Sequence, residues 1–477
     1  MIAIGYDPAY NQHEQEHWAW IEPERHVLVA GKTGTGKSTV MLNAMLDQIE
    51  AGDGILAADP HGPIVEAALT RIPTDRTQDV IYVDPKAGGV GLNPFDHPDQ
   101  EIVKATVKDL IQTSWPEGWG PETDNILSFI LNAVCETWRL PTLPLCQRFA
   151  ADEKFRKGVV RKLRPSPTRF FFEETYDKEW DKRMRAEKSA PVRNKLNKFV
   201  NDAVLRRMFE PSKSLDFRRA IDDRKIVLVN LAKERIGRQL AAFIGGLVAF
   251  KHQAALLSRQ DSSEPLPPSY AFYDEFLTLM HGNFSAYLGE TRKYGGRLMI
   301  ATQTLAPVPE FTRQIILGNV GTFIVYRVSR EDAEIFAKEF GNDFGATALT
   351  DQPDYFCHVK TVRGGVPQAV RQYRAFAPRE RTRPTATRAA VLRTFAANFG
   401  RRTEDALRAG GEGPAGRRGR EGARPGRPPE LLTCSCRPKS PSTSRGRSAH
   451  RRGTCRSLPR RSQDSRDSRR ARPTLCA

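Results

Sequence analysis

"HVLVAGKTGTGKSTVMLNAMLDQIEAG", residues 26–52, decides the fold. Its opening, "HVLVA", is a short apolar run of the kind that forms a strand buried on both faces of a parallel sheet. Met41, Leu42, Met45, Leu46 and Ile49 then recur at helical spacing as one apolar face, and Gly52 stands where a C-terminal cap belongs. Between strand and helix lies Gly31 to Ser38, which fits G-x-x-x-x-G-K-[ST]. Such a turn cradles nucleotide phosphates, because glycines let backbone N–H groups converge and the helix N-terminus adds its positive dipole end. Gly31, Thr33, Gly34, Thr35, Gly36, Lys37, Ser38 and Thr39 are the expected nucleotide contacts. Lys37 would reach the β and γ phosphates of ATP, and the Ser38 hydroxyl would bind Mg²⁺.

Outward from this stretch, similar apolar runs recur at 54–59, 80–84, 225–231, 269–275, 297–303 and 322–328, with helical patterns between most of them. The fold class is therefore α/β, built on a mainly parallel sheet. From about Asp99 to Asp216 strand-like runs vanish and helical segments take over, which predicts an inserted all-helical subdomain. The sheet domain then spans 1–98 and 217–378.

The formal charge of +18 has a local origin. From Arg379 onward there are 26 Lys and Arg against 8 Asp and Glu, leaving 48 of each before it. Any nucleic-acid surface on the body must be a patch and not a global field. Residues 379–477 are rich in Arg, Ser, Pro and Gly, which predicts a disordered basic tail with one possible helix near 389–398; an out-of-frame translation would leave the same bias. The body holds only Cys135, Cys146 and Cys357, which suits a reducing compartment. Neither a signal peptide nor a run of about 18 apolar residues is present, so a cytoplasmic chain without a membrane span is expected.

A hydrolase also needs a carboxylate beside the metal and a group that activates water. "YAFYDEF" ends an apolar strand on Asp274 and Glu275. Asp274 would join Ser38 at the Mg²⁺, and Glu275 would act as general base. Gln303, closing the next strand in "IATQT", is placed to sense the γ-phosphate. Asp59 in "ADPHG" either acts near the nucleotide or starts a turn.

Taken in order, "GKTGTGKST", "ADPHG", "VIYVDP…GLNPF", "NKLNKF", "YDEF", "TRKYGGRLMIATQ" and "GNVGTFIVYRVSREDAEIFAKEF" resemble the conjugative DNA-transfer branch of the FtsK/HerA superfamily, over about residues 22–376. These are the coupling-protein-like ATPases of conjugation and type IV secretion. The resemblance implies a RecA-like motor, a hexameric ring that pumps DNA, and partners in a membrane-anchored secretion or conjugation complex and a relaxosome. It marks Lys37, Ser38, Asp274, Glu275 and Gln303 as the ATPase residues. Membrane-anchored members carry transmembrane helices before the motor, whereas the phosphate loop here begins at residue 31; a separate anchor or a late-starting frame would account for that. Relatives that pump duplex DNA often place an arginine finger after an N-x-x-T element, but Phe323 follows Thr322 here. Arg292, Arg327 and Arg330 are the remaining candidates for a trans-acting arginine.

Two basic clusters could meet DNA phosphates: "KFRKGVVRKLR" (154–164) and "TRKYGGR" (291–297). In the tail, "GRRGRE" and "RRSQDSRDSRRAR" would bind polyanions without sequence preference, while Cys434, Cys436, His450 and Cys455 are poorly spaced for zinc. The leading functional expectation is a DNA translocase. Its rivals are a HerA-type motor working with a nuclease and a pilus-assembly or secretion ATPase that does not pump DNA.

Overall fold

The computed structural model of the 477-residue chain describes residues 2–400 apart from 23–24, 88–89, 211–213, 263–265, 280–283, 342–343 and 381. The tail motifs and the four Cys and His residues named above lie outside the described residues. All described residues fall within one compact unit, Met1–Ala415.

The strands are β1 (Ile2–Tyr6), β2 (Trp18–Ile21), β3 (His26–Ala30), β4 (Gly54–Asp59), β5 (Val80–Val83), β6 (Ile226–Asn230) and β7 (Ser269–Tyr273). They continue with β8 (Gly296–Thr302), β9 (Val320–Val325), β10 (Phe356–Lys360), β11 (Val362–Arg363), β12 (Val366–Pro367) and β13 (Arg371–Ala375). Apart from the β11–β12 hairpin, they form one sheet in the order β2-β1-β13-β10-β9-β3-β8-β7-β4-β6-β5. From β9 to β5 every neighbour is parallel. From β9 outward to β2 every neighbour is antiparallel. The expected mainly parallel α/β sheet is thus present, with an antiparallel wing on one side.

The parallel strands carry the apolar runs because both their faces are covered. Every residue of β3, β4, β6 and β7 is buried. Helix α1 (Lys37–Glu50) lays Met41, Leu42, Met45, Leu46 and Ile49 onto the sheet. Gly52, at φ +87, closes α1 by donating to Ile49 O at 3.1 Å, as its position after the apolar stripe predicts.

Between β5 and β6 every described element is helical. Asp99 opens this insertion by accepting from Glu101 N at 2.9 Å and Ile102 N at 3.1 Å, a helix N-cap. The insertion shares the sheet domain's core. Trp115, Phe199 and Phe209 set their rings 4.8–5.8 Å from Phe243, which lies on the helix Arg238–Leu257. That helix is long and apolar enough to cross a membrane, but 72% of its apolar window is buried inside the protein. Its composition is that of a core helix.

Past Arg379, where composition predicts a basic tail with one helix near 389–398, the described residues pack on the body and carry that helix. After β13 the chain runs back across α1 and the β5 edge as a strap that ends in the helix Arg388–Phe395. Arg379 pairs with Asp47, Arg383 with Asp75, and Arg388 with Glu66 at 2.6 Å. Val391 and Phe395 are buried beneath it. The described residues of 379–400 therefore pack, because Arg379, Arg383 and Arg388 each meet an acid far away in sequence.

Candidate nucleotide site

The site is built where β3, β8 and β7 end side by side. In a parallel sheet this edge is where loops converge and ligands bind. The phosphate loop leaves β3 under tight steric control. A Cβ on Gly31 would stand 2.6 Å from Tyr326 Cβ and 2.9 Å from Thr35 Oγ1. Gly34 and Gly36 sit at φ +83 and +118, a region that favours glycine. Gly36 caps α1, so the first helical residues are Lys37, Ser38 and Thr39. Backbone bonds hang the loop from its neighbours: Gly31 N to Thr302 O at 3.3 Å, Lys32 N to Arg327 O at 2.8 Å, and Tyr355 N to Thr35 O at 3.1 Å. Thr35 Oγ1 closes the turn by donating to Lys32 O at 2.8 Å.

Lys37 folds back into this loop. Its Nζ donates to Gly31 O at 2.6 Å and Lys32 O at 2.9 Å. Burial lowers its pKa, while the negative charges of Asp274 and Glu275 oppose that shift. Asp274 continues β7 by one residue, its N–H donating to Ala58 O at 3.1 Å. Its carboxyl is pushed up to about 6, first by burial and then by Asp59 and Glu275, with Lys37 pulling the other way. Glu275 turns out of the strand in a left-handed conformation, φ +44, which costs on the order of 1–3 kcal/mol in a non-glycine residue. Its Oε1 accepts from Thr302 Oγ1 at 3.4 Å. Gln303, exposed at the end of β8, accepts from Thr33 Oγ1 at 3.2 Å, so it touches the phosphate loop directly.

These residues fit a magnesium ion. Asp59, Asp274 and Glu275 collect negative charge around one lysine, and the raised carboxyl of Asp274 marks a place where a hard divalent cation would relieve it. Mg²⁺ at a phosphate loop takes few protein ligands, and Ser38 and Asp274 are the two on hand. Among the described residues, three ligand side chains close enough to share an ion lie elsewhere, at Glu14, Glu16 and His17.

Asp59 starts a turn beside the site. Its carboxylate accepts from His61 N and Ile64 N, both at 2.8 Å, and so fixes the start of α2 (Pro63–Leu69) while adding its charge to Asp274's surroundings. The three arginines separate. Arg327 lies against the phosphate loop of its own chain, ion-paired with Asp354 at 2.6 Å. Arg330 opens the helix Arg330–Phe340 with an 89% exposed side chain, 3.5 Å from Glu334. Arg292 precedes β8, at the opposite end of the strands. Phe323, where an arginine finger was sought, is buried in β9.

The basic clusters separate as well. In 154–164, Arg156 is buried against Asp177 at 3.4 Å and over the Tyr176 ring, and Lys157 pairs with Glu153 at 2.6 Å. Lys154, Arg161, Lys162 and Arg164 keep that cluster's exposed charge. In 291–297, Arg292 and Lys293 are exposed, and Arg297 donates to Arg292 O and Gly296 O at 3.2 and 3.0 Å. Sequence reasoning missed Tyr326, Asp354 and Tyr355. Of these only Tyr326, closing an apolar run, left a local signal.

Residues 23–247 match the family described as "Helicase HerA, central domain". That span holds the phosphate loop and the helical insertion, while Asp274, Glu275 and Gln303 lie beyond it. The chain thus has a RecA-like α/β fold with a phosphate loop, and just under half of it is similar to the central domain of the helicase HerA. Among solved structures, the plasmid coupling protein TrwB in complex with the GTP analogue GDPNP is similar in fold, with TM-score 0.53 and 17% identity over 76% of this chain and 88% of that one. The trigonal form of the conjugative coupling protein TrwBΔN70 gives TM-score 0.55 and 16% identity, over 78% and 87%. VirB4 of Thermoanaerobacter pseudethanolicus gives TM-score 0.55 and 12% identity, over 79% and 96%. No match was found among curated proteins.

Proposed function

We propose that this chain hydrolyses ATP with Mg²⁺ and spends the energy on moving DNA, as one subunit of a hexameric ring serving conjugative transfer or type IV secretion. The observation that carries the reading is the convergence of Lys37, Asp274, Glu275 and Gln303 on the ends of three adjacent parallel strands. TrwB, similar in fold, has been solved with ADP and Mg²⁺ and with a non-hydrolysable ATP analogue.

In this mechanism Lys37 exchanges the carbonyls of Gly31 and Lys32 for the β and γ phosphates, which are better partners for its charge. Backbone N–H groups from Gly34 to Thr39 hold the remaining phosphate oxygens. Ser38 and Asp274 would hold Mg²⁺, which neutralises charge on the β and γ oxygens when bound. Glu275, set against Thr302, polarises the attacking water. Gln303 reports the γ-phosphate to the loop through Thr33. The exposed Arg292 and Arg330 are the candidates to reach a neighbouring subunit's site. Such a ring would work in the cytoplasm, docked to a membrane complex through partners.

The test separates binding from turnover. Glu275→Gln keeps the size and the metal side of the site but removes the base. It should bind ATP, fail to hydrolyse it, and form ATP-dependent DNA complexes at least as stable as wild type. Gel shifts with and without MgATP, beside phosphate release, read both. If neither protein holds DNA differently with ATP, and DNA leaves hydrolysis unchanged, the translocase reading fails. A secretion or assembly ATPase would then fit better. The HerA family match supports a second reading, a motor paired with a nuclease. Neighbouring genes for a relaxase or a nuclease separate those two.

A further inference from the structure

One residue that none of these roles uses stands beside the phosphate loop. Tyr355 precedes β10 and is 56% exposed. Its backbone is held at φ +68, where glycine or asparagine is favoured and a tyrosine is strained. Two hydrogen bonds keep it there: its N–H donates to Thr35 O at 3.1 Å, and its carbonyl accepts from Ala375 N at 2.8 Å. The ring edge, Cδ1, lies 3.5 Å from the point where a Cβ on Gly36 would stand, and the buried ring of Tyr326 backs that point at 3.1 Å. One tyrosine thus supports the loop from beneath, while a second stands open to solvent at the mouth of α1. A strained residue that a neighbouring backbone fixes in place points to a use for its side chain.

We propose that the exposed Tyr355 ring is the platform on which the base of the bound nucleoside triphosphate stacks. The inference rests on the nucleotide site proposed above. Phosphates held by the N–H groups of Gly34 to Thr39 leave the ribose and base to exit at the first turn of α1, and Tyr355 offers an exposed aromatic face at that turn. The neighbouring Asp354 is paired with Arg327 at 2.6 Å. A platform of this kind binds any purine through its π face, so ATP and GTP should be held with similar strength.

The experiment measures binding of MgATP, MgGTP and magnesium tripolyphosphate to the full chain by calorimetry. Tyr355→Asn suits the left-handed backbone and removes the ring, so a loss of binding is not a loss of folding. Stacking of a base on an aromatic side chain predicts a roughly 5- to 150-fold loss of MgATP affinity in Tyr355→Asn. MgGTP should weaken alike, tripolyphosphate should bind as to wild type, and Tyr355→Phe should keep ATP affinity within about twofold, since the π face is retained. Wild-type ATP affinity in Tyr355→Asn would overturn the platform while leaving the phosphate site standing. An equal loss for tripolyphosphate would overturn it too, making Tyr355 a prop of the loop. If wild type binds neither ATP nor tripolyphosphate, the nucleotide site itself is misplaced and the platform falls with it.

Discussion

The two ends of the parallel strands treat polar groups in opposite ways. At the ends of β3, β7 and β8, Lys37, Asp274, Glu275 and Gln303 gather with carboxyls crowded together, a lysine resting on backbone carbonyls and a glutamate in a left-handed turn. At their starts, polar groups are buried and largely matched, the Arg259 Nε excepted. His26 donates from Nε2 to Leu288 O at 2.8 Å and accepts at Nδ1 from Leu298 N at 3.1 Å. Arg259, with a fully buried side chain, reaches Asp222 at 2.6 Å and the carbonyls of Pro267 and Tyr294 at 2.9 and 3.0 Å. On the proposed reading one end keeps charge for a ligand, whereas the other satisfies most of its charge internally. Substitutions at the first should therefore cost turnover with little stability, and at the second stability with little turnover.

The largest effect belongs to Lys37→Ala. Loss of the lysine folded into the loop should abolish ATP hydrolysis to background and weaken nucleotide binding. The free protein should melt within about 1 kcal/mol of wild type, because the lysine's partners there are ordinary carbonyl hydrogen bonds. Wild-type turnover in this variant would break the comparison at its first term. The counterpart is Arg259→Ala, which strands two carbonyls and a carboxylate. About 3 kcal/mol of unfolding free energy should be lost in urea melts, with hydrolysis per folded molecule retained.

How much of this contrast was legible in the sequence depended on whether its cause was local. The seven parallel strands were readable because burial on both faces demands apolar runs, and Asp274, Glu275 and Gln303 were readable as the polar ends of such runs. In the antiparallel wing β13 left no such trace: it is half exposed, and its "RQYRA" looks like loop. Tyr355 sits in the polar stretch "DQPDYF", whose meaning comes from the contact with Thr35, some 320 residues earlier in the chain. The helix of the strap was legible as the one expected near 389–398, but its docking was hidden for the same reason, since Arg379, Arg383 and Arg388 find Asp47, Asp75 and Glu66 only in the fold.

Acid should sharpen the comparison next. His26 is held neutral, its pKa lowered to about 4 by burial, with Arg297 and Arg292 adding repulsion and the Leu288 carbonyl opposing. His252, bonded to Ser269 at 2.8 Å and to Tyr287, is lowered to about 3. A histidine whose folded pKa is depressed leaves the unfolded chain binding more protons once pH drops below about 6.5, so stability falls with acid. For His26 the loss should accumulate between about pH 6.5 and 4 and approach 3 kcal/mol. His26→Gln should start less stable yet show a shallower decline in melting temperature from pH 7 to 5. An identical decline would remove His26 from this account.

The smallest expected effect tests the join between sensor and loop. Thr33 Oγ1 donates to Gln303 at 3.2 Å across an exposed edge, the one side-chain bond described between β8's end and the phosphate loop. If Gln303 reports the γ-phosphate through that bond, removing either partner disables the same link. Thr33→Val and Gln303→Ala should each lower kcat, and the double variant should fall little below Gln303→Ala alone. The coupling energy should be about 0.5–1.5 kcal/mol, the net worth of one such bond, read from log kcat around the four-variant cycle. A control pair at the other end, Thr33→Val with His26→Gln, should add without coupling, because no partner is shared. Additive losses for Thr33 and Gln303 would mean that the bond is incidental and that Gln303 meets the phosphate by itself. A coupled loss would tie the first polar end of the sheet into one unit, in which the loop holding the phosphates and the strand sensing them answer together.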